Sequence, residues 1–169
     1  MKSILKIIIV AAAFFGVIGC TTNLEMQSAK ELKGKRIGVQ LISIKNTNLP
    51  RKKLTGTDTI CTCISQSATE AMYPFLQQAG FVVVPLSVGE KTSIYKSVQV
   101  ADSLKLDYIL SGNGIVEFTG SSPFMHQLTV NAINVKTGAV QFSGSFSGAA
   151  VSPVQAAARI GKQIVKKML

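Results

Sequence analysis

Tryptophan is absent, histidine occurs once, and the eight acidic residues are scattered singly, so the convergent polar groups an enzyme needs are scarce. The single histidine, His126, shares strand parity with Phe124, Leu128 and Val130. A histidine on an apolar face is most often a hydrogen-bonded core or rim residue, not a catalytic base. No serine or cysteine falls in a nucleophile elbow, and Gly112-Asn113-Gly114 is too short for a phosphate loop and sits within a strand. Its glycines mark a bulge or a close backbone approach. Asp102 and Asp107 flank a strand start and fit solvated caps. Cysteine is also scarce. Three occur, and the Cys61-Thr62-Cys63 spacing closes a very small ring, while metal sites prefer two intervening residues and two further ligands. The pair fits two small, partly buried side chains or a strained redox disulfide. A redox or hydrolytic enzyme using Cys61, Cys63 and His126 is thus the alternative to a protein with no catalytic residue, no metal and no cofactor.

The only long apolar run is at the start. Lys2 and Lys6 precede Ile7 to Ile18, which ends in Val17-Ile18-Gly19-Cys20. A transmembrane anchor is the other option, but this run is shorter than the ~20 residues a spanning helix needs. The V-I-G-C segment resembles a bacterial lipobox. The resemblance implies removal of a signal peptide over 1–19 and a covalent lipid on Cys20. Each acyl chain adds about 0.8 kcal/mol per buried CH₂, so a lipidated Cys20 holds the protein on a bilayer. Thr21 is not the aspartate that marks inner-membrane retention, so the expected location is the periplasmic face of the outer membrane.

Losing Lys2 and Lys6 leaves 16 basic residues against 8 acidic ones, a formal net charge of +8. Basic residues gather near the mature start (Lys30, Lys33, Lys35, Arg36), in a loop (Lys45, Arg51, Lys52, Lys53) and on the last helix (Arg159, Lys162, Lys166, Lys167). Outside the cytoplasm nucleic acid is not the expected partner. Anionic lipid or an acidic protein face fits better, with Arg51, Lys52 and Lys53 the expected contact.

Residues 20–34 read as the lipidated cysteine and a short polar tether, reaching ~50 Å when fully extended. One α/β domain over 35–169 follows. Strands are expected at 36–44, 81–88, 107–118, 124–135 and 139–149. A helix within 60–79 is interrupted by Pro74, with Ser67 and Glu70 a second capping-box option inside it, and Gly80 ends it. A short helix has Ile94, Val98, Ala101 and Leu104 on one face. The last helix has Ser152 at its N-cap, Pro153 next, and Gln155 completing a capping box. Ala157, Gly161, Ile164 and Met168 form its buried face. The order β-α-β-α-β-β-β-α gives a mixed sheet, α+β in class, with a C-terminal antiparallel meander and helices packed on the sheet.

Within the meander, Gln127, Thr129 and Asn131 share one parity, and Gln141, Ser143 and Ser145 share one on the next strand. If these faces coincide they form an uncharged patch of amides and hydroxyls. Such a patch suits an interface core, or it is the wet side of a half-exposed sheet. The last strand is expected at a sheet edge, where it would accept a partner strand.

Four segments resemble, in order, the CsgG, LpoB and TolB amino-terminal superfamily. They are Arg36 to Gln40, Leu76 to Val84, Ala101 to Gly112 with its LKLDYILSG core, and Val130 to Val140 with INVKTGAV. The resemblance covers about residues 36 to 168. It implies a binding, scaffolding or secretion role without turnover, with Asp107 opening a strand and Lys136-Thr137-Gly138 making a hairpin turn. The CsgG-like branch forms pores with inserted hairpins of ~9 to 11 residues per strand, for which this chain has no insertion. The LpoB-like branch activates a cell-wall synthase across a long tether, and the segment here is too short for that. The expected function is a lipid-anchored, non-enzymatic envelope adaptor for cell-wall synthesis or secretion machinery. Its partner is an envelope protein or a second copy of the chain.

Overall fold

The computed structural model describes residues 20–27, 29–47, 62–87, 92–119, 121–148 and 151–169. Arg51, Lys52, Lys53 and Cys61 lie outside the described residues. The strands are β1 (Thr21–Met26), β2 (Arg36–Val39), β3 (Ser43–Asn46), β4 (Val82–Pro85), β5 (Tyr108–Thr119), β6 (Ser122–Asn134) and β7 (Val140–Ser147). The helices are α1 (Thr62–Glu70), α2 (Tyr73–Gln78), α3 (Ile94–Ser103) and α4 (Pro153–Met168), with a 3-10 turn at Lys30–Leu32. One mixed sheet runs β1-β7-β6-β5-β2-β4, and β3 also pairs with β5, beyond the end of β2. β2 is parallel to β4 and β5, whereas β5, β6, β7 and β1 are antiparallel neighbours. The α+β mixed sheet with a meander is therefore as the sequence pattern indicates.

Side chains alternate across a strand, and β5 shows which helices take which face. Leu110 joins the larger core with Ala68, Leu76, Ile160 and Ile164 from the α1, α2 and α4 side, while its neighbour Ile109 joins a smaller core with Leu86, Ala101 and Leu106 beneath α3. The chain needs glycine where α4 meets its neighbours. A Cβ on Gly144 of β7 would stand 2.5 Å from Ile160 Cγ2, and one on Gly161 would stand 2.5 Å from Phe75 Cδ2. Local signals set the element ends. Ser152 Oγ accepts from Gln155 N and Gln155 Oε1 accepts from Ser152 N, which closes the capping box. Pro74 occupies the first turn of α2 and separates it from α1, and Gly80, at φ +94°, ends α2. Asn134 Oδ1 accepts from Lys136 N and Thr137 N, which folds the β6–β7 turn.

Four expectations are corrected. Residues 21–34 are not a tether: β1 lies on β7 over its whole length, with Leu24 and Leu32 buried, so the folded domain begins at Thr21 and not at 35. β7 is consequently no sheet edge. The strand expected over 36–44 is two, because the chain bends at 40–42, where Thr69 Oγ1 of α1 accepts from Ile42 N at 2.9 Å. Ser67 and Glu70 do not cap a helix start. Ser67 sits inside α1 and donates to Cys63 O, and Glu70 accepts from Gln66 Nε2.

Candidate functional site

The two faces of the sheet are covered unequally. Among the described residues, α1, α2 and α4 fill one face, while on the other only α3 packs, near β2, β4 and the start of β5. The reason is topological. β5, β6 and β7 are joined by hairpins, and hairpins bring no crossover helix to cover them. The open part is built in three cross-strand rows. Ser43, Asn113, Thr129, Ser145 and Asn23 form the central row across β3, β5, β6, β7 and β1. Lys45, Ile115, Gln127, Ser147 and Thr21 form the row on one side. Ser111, Asn131, Ser143 and Glu25 form the row on the other. With neighbouring strands about 4.8 Å apart, five strands span about 19 Å. All these side chains are exposed or half-buried, and the only charges, Lys45 and Glu25, stand at opposite ends of the field. Such a surface offers hydrogen bonds in a flat array without demanding the desolvation of ions.

Of the residues expected on this patch, Gln127, Thr129, Asn131, Ser143 and Ser145 are brought together, and the pairs Thr129–Ser145 and Asn131–Ser143 are direct cross-strand neighbours. Gln141 is not among them. A register shift between Ala132 and Ile133 pairs Phe142 with Ala132 and Val140 with Ile133, leaving Gln141 in the irregularity with a side chain only 9% exposed. The sequence pattern missed Thr21, Asn23 and Glu25, because 21–26 was assigned to a tether. The signal was present, since Thr21, Asn23 and Glu25 alternate with Thr22, Leu24 and Met26 at the period of a half-buried strand.

His126 is also corrected. A register shift between Ile115 and Val116 turns Met125 into the core and leaves His126 exposed, outside the apolar set. Its Nε2 lies 2.6 Å from Glu117 Oε2, in a solvent-exposed contact of the kind that contributes about 0–1 kcal/mol. Cys63, expected to be partly buried, is exposed near the start of α1. It borders a hollow of about 230 Å³ lined by Ile64, Ser67, Pro123, Ser152, Pro153 and Val154, and His126 does not reach that hollow. Gly112 sits where a Cβ would meet Thr129 O at 2.8 Å, so it serves the close backbone approach expected of it. Asp107 is no isolated cap: its Oδ2 accepts from Arg36 N, and Lys35 Nζ stands 3.6 Å from Oδ1, tying β5 to β2. The Tyr73 hydroxyl is held above the ordinary tyrosine range, first by burial and then by the Glu70 carboxylate. It belongs to the α1–α2 junction, not to the open face. Among the described residues no cluster of three or more His, Cys, Asp or Glu could hold a metal ion.

The terminal strands of the sheet are not open templates. Gln27 N donates to Gln141 O, so the odd-numbered backbone groups of β1 face β7 and Leu24 O faces outward. Lys167 Nζ, from the last turn of α4, donates to that carbonyl at 2.6 Å. At the other end β4 is four residues long and closes on Pro85, which cannot donate to a ladder. Over its whole length β1 pairs with β7, which excludes partner-strand addition to β7.

No protein-family model matches the chain, and no curated protein does. Among solved structures, the chain is similar to a PelC dodecamer from Paraburkholderia phytofirmans, at 20% identity and a TM-score of 0.54, over 86% of this chain and 97% of that one. That likeness shows a shared fold. Matches also include the LpoB C-terminal domain from Escherichia coli, at 17% identity and TM-score 0.48 over 71% of this chain and 84% of that one. TolB from Acinetobacter baumannii matches at 12% identity and TM-score 0.44, over 87% of this chain and 32% of that one.

Proposed function

We propose that the protein is a lipid-anchored component of the bacterial envelope that works as a non-enzymatic binding or assembly adaptor, held through Cys20 on the periplasmic face of the outer membrane. The observation that carries the binding role is the polar field of β1, β7, β6, β5 and β3, nearly free of charge and left open by the described residues, on a sheet where β7 is paired on both edges. Depletion of charge at the centre of a flat patch favours burial against another protein. The partner is an envelope protein or a second copy of the chain. The fold is shared with a dodecameric protein, which supports the second option.

Ser143→Lys with Ser145→Lys tests the surface. Both side chains sit on the open face, so the fold tolerates them, while an interface would have to desolvate two new charges at several kcal/mol each. Crosslinked complexes recovered from solubilised envelopes are expected to disappear at unchanged expression. Undiminished recovery would show that the face is merely wet. The anchor is tested separately by fatty-acid labelling, which is expected in the native chain and absent from Cys20→Ala.

A further inference from the structure

Because β1 starts at Thr21, a lipid on Cys20 would be joined to the domain with no spacer. Cys20 has the strand parity of Leu24 and packs against the larger core, on the side covered by α4. Its Sγ lies 2.7 Å from where a Cβ on Gly148 would stand, just past β7 and close in sequence to the start of α4. The buried side of α4 is set by Ala157, Ile160, Gly161 and Ile164. Arg159, Lys162 and Lys166, spaced three and four residues apart, form one exposed stripe along the helix. The stripe begins on the side of α4 that packs over β7 and the start of β1. The Arg159 guanidinium lies 5.8 Å from the centroid of the Phe146 ring, and the β1 partner of Phe146 is Thr22, two residues from Cys20. An open hollow of about 440 Å³ adjoins Arg159 and Lys162, floored by Val151, Gln155 and Ala158. Among the described residues none of the three cations is in an ion pair.

We propose that this flank of α4 is the membrane-contact face, with Arg159, Lys162 and Lys166 seated on the anionic phospholipid headgroups of the leaflet that holds the Cys20 lipid. The attraction of a basic residue to an anionic surface fades within a Debye length, about 8 Å at physiological salt. A long tether would leave these charges without effect, whereas a direct junction keeps them at the surface. Each is then expected to favour contact roughly five-fold. The open polar field lies on the opposite side of the sheet and so faces away from the bilayer. The location of this face rests on the lipid-anchor proposal, but its attraction to anionic lipid does not.

The test uses the chain purified from cells in a Cys61→Ser, Cys63→Ser background, with a fluorophore on Ala158→Cys beside the stripe or on Asn113→Cys in the open field. Vesicles of phosphatidylcholine, with or without about one-third phosphatidylglycerol, carry a headgroup nitroxide quencher. Quenching is expected to be several-fold stronger at position 158 than at 113, and to depend on phosphatidylglycerol. It should fall in roughly 1 M salt, where screening shortens to about 3 Å. It should also fall in the triple variant Arg159→Glu, Lys162→Glu, Lys166→Glu. Equal quenching at the two positions, or an unaltered triple variant, would overturn the proposal. So would a stripe that ignores phosphatidylglycerol but binds polyglutamate, which would assign it to an acidic protein. Intact mass separates the two ideas. A lipidated chain without the difference refutes the face alone, and an unlipidated chain that retains it, relabelled in a Cys20→Ala background so that only the probe thiol reacts, refutes the anchor alone.

Discussion

Thr69 ties α1 to the β2–β3 bend through one hydroxyl. Its Oγ1 accepts from Ile42 N and donates to Ser65 O, fixing α1 against the bend between β2 and β3, and the residue is 2% exposed. Thr69→Val keeps the shape and removes the acceptor, leaving a buried backbone N–H unpaired. The expected cost is about 1–3 kcal/mol in urea unfolding, with Thr69→Ser close to the native value. Gly161 sets two effects against each other. Alanine in a helix interior is favoured over glycine by about 1 kcal/mol, but the new methyl would overlap three atoms of Phe75, one of them its Cβ at 2.8 Å. Overpacking costs about 1–3 kcal/mol, so Gly161→Ala is expected to lower the melting temperature by a few degrees. A rise would show that α2 and α4 separate easily.

At the scale of elements, β1 is the least expected part of the fold. It is paired along one edge by β7, packed by α4, and tied along the other edge by Lys167 at Leu24 O. A tether residue could be changed at almost no cost, within about 0.5 kcal/mol. Leu24 is 7% exposed, and Leu24→Ala is expected to destabilise the domain by about 2 kcal/mol or more in thermal or urea unfolding. A change below 0.5 kcal/mol would return this segment to the role of a linker.

For the whole molecule, the decisive feature is the absence of a spacer between Cys20 and the sheet. Inserting about ten Gly and Ser residues before Thr21 would give the domain a root-mean-square reach of about 17 Å from Cys20, the proposed anchor. The fold is expected to melt as before, since the insertion precedes β1. The headgroup quenching at position 158 is expected to drop toward that at position 113. Unchanged quenching would mean that the charges of α4 hold the face to the membrane without help from the junction.

Some of this protein was written locally. Pro74 and Gly80 set the limits of α2, Ser152 with Gln155 starts α4, and the Asn134-centred turn joins β6 to β7, because each depends on atoms a few residues apart. The polar parity of Gln127, Thr129 and Asn131 was legible for the same reason. Parity fails where a strand gains an extra residue, and the two register shifts, at Ile115/Val116 and Ala132/Ile133, are why His126 left the apolar set and Gln141 left the polar field. The edges were not legible either. Whether β7 is open depends on Thr21–Met26 returning from the other end of the chain, and whether β1 is open depends on Lys167 reaching Leu24. The sequence by itself determined the turns, caps and alternation, whose energies are local. The tertiary structure alone decided which polar face stays uncovered and which edges close, because pairing partners distant in sequence are chosen by the packing of the whole sheet.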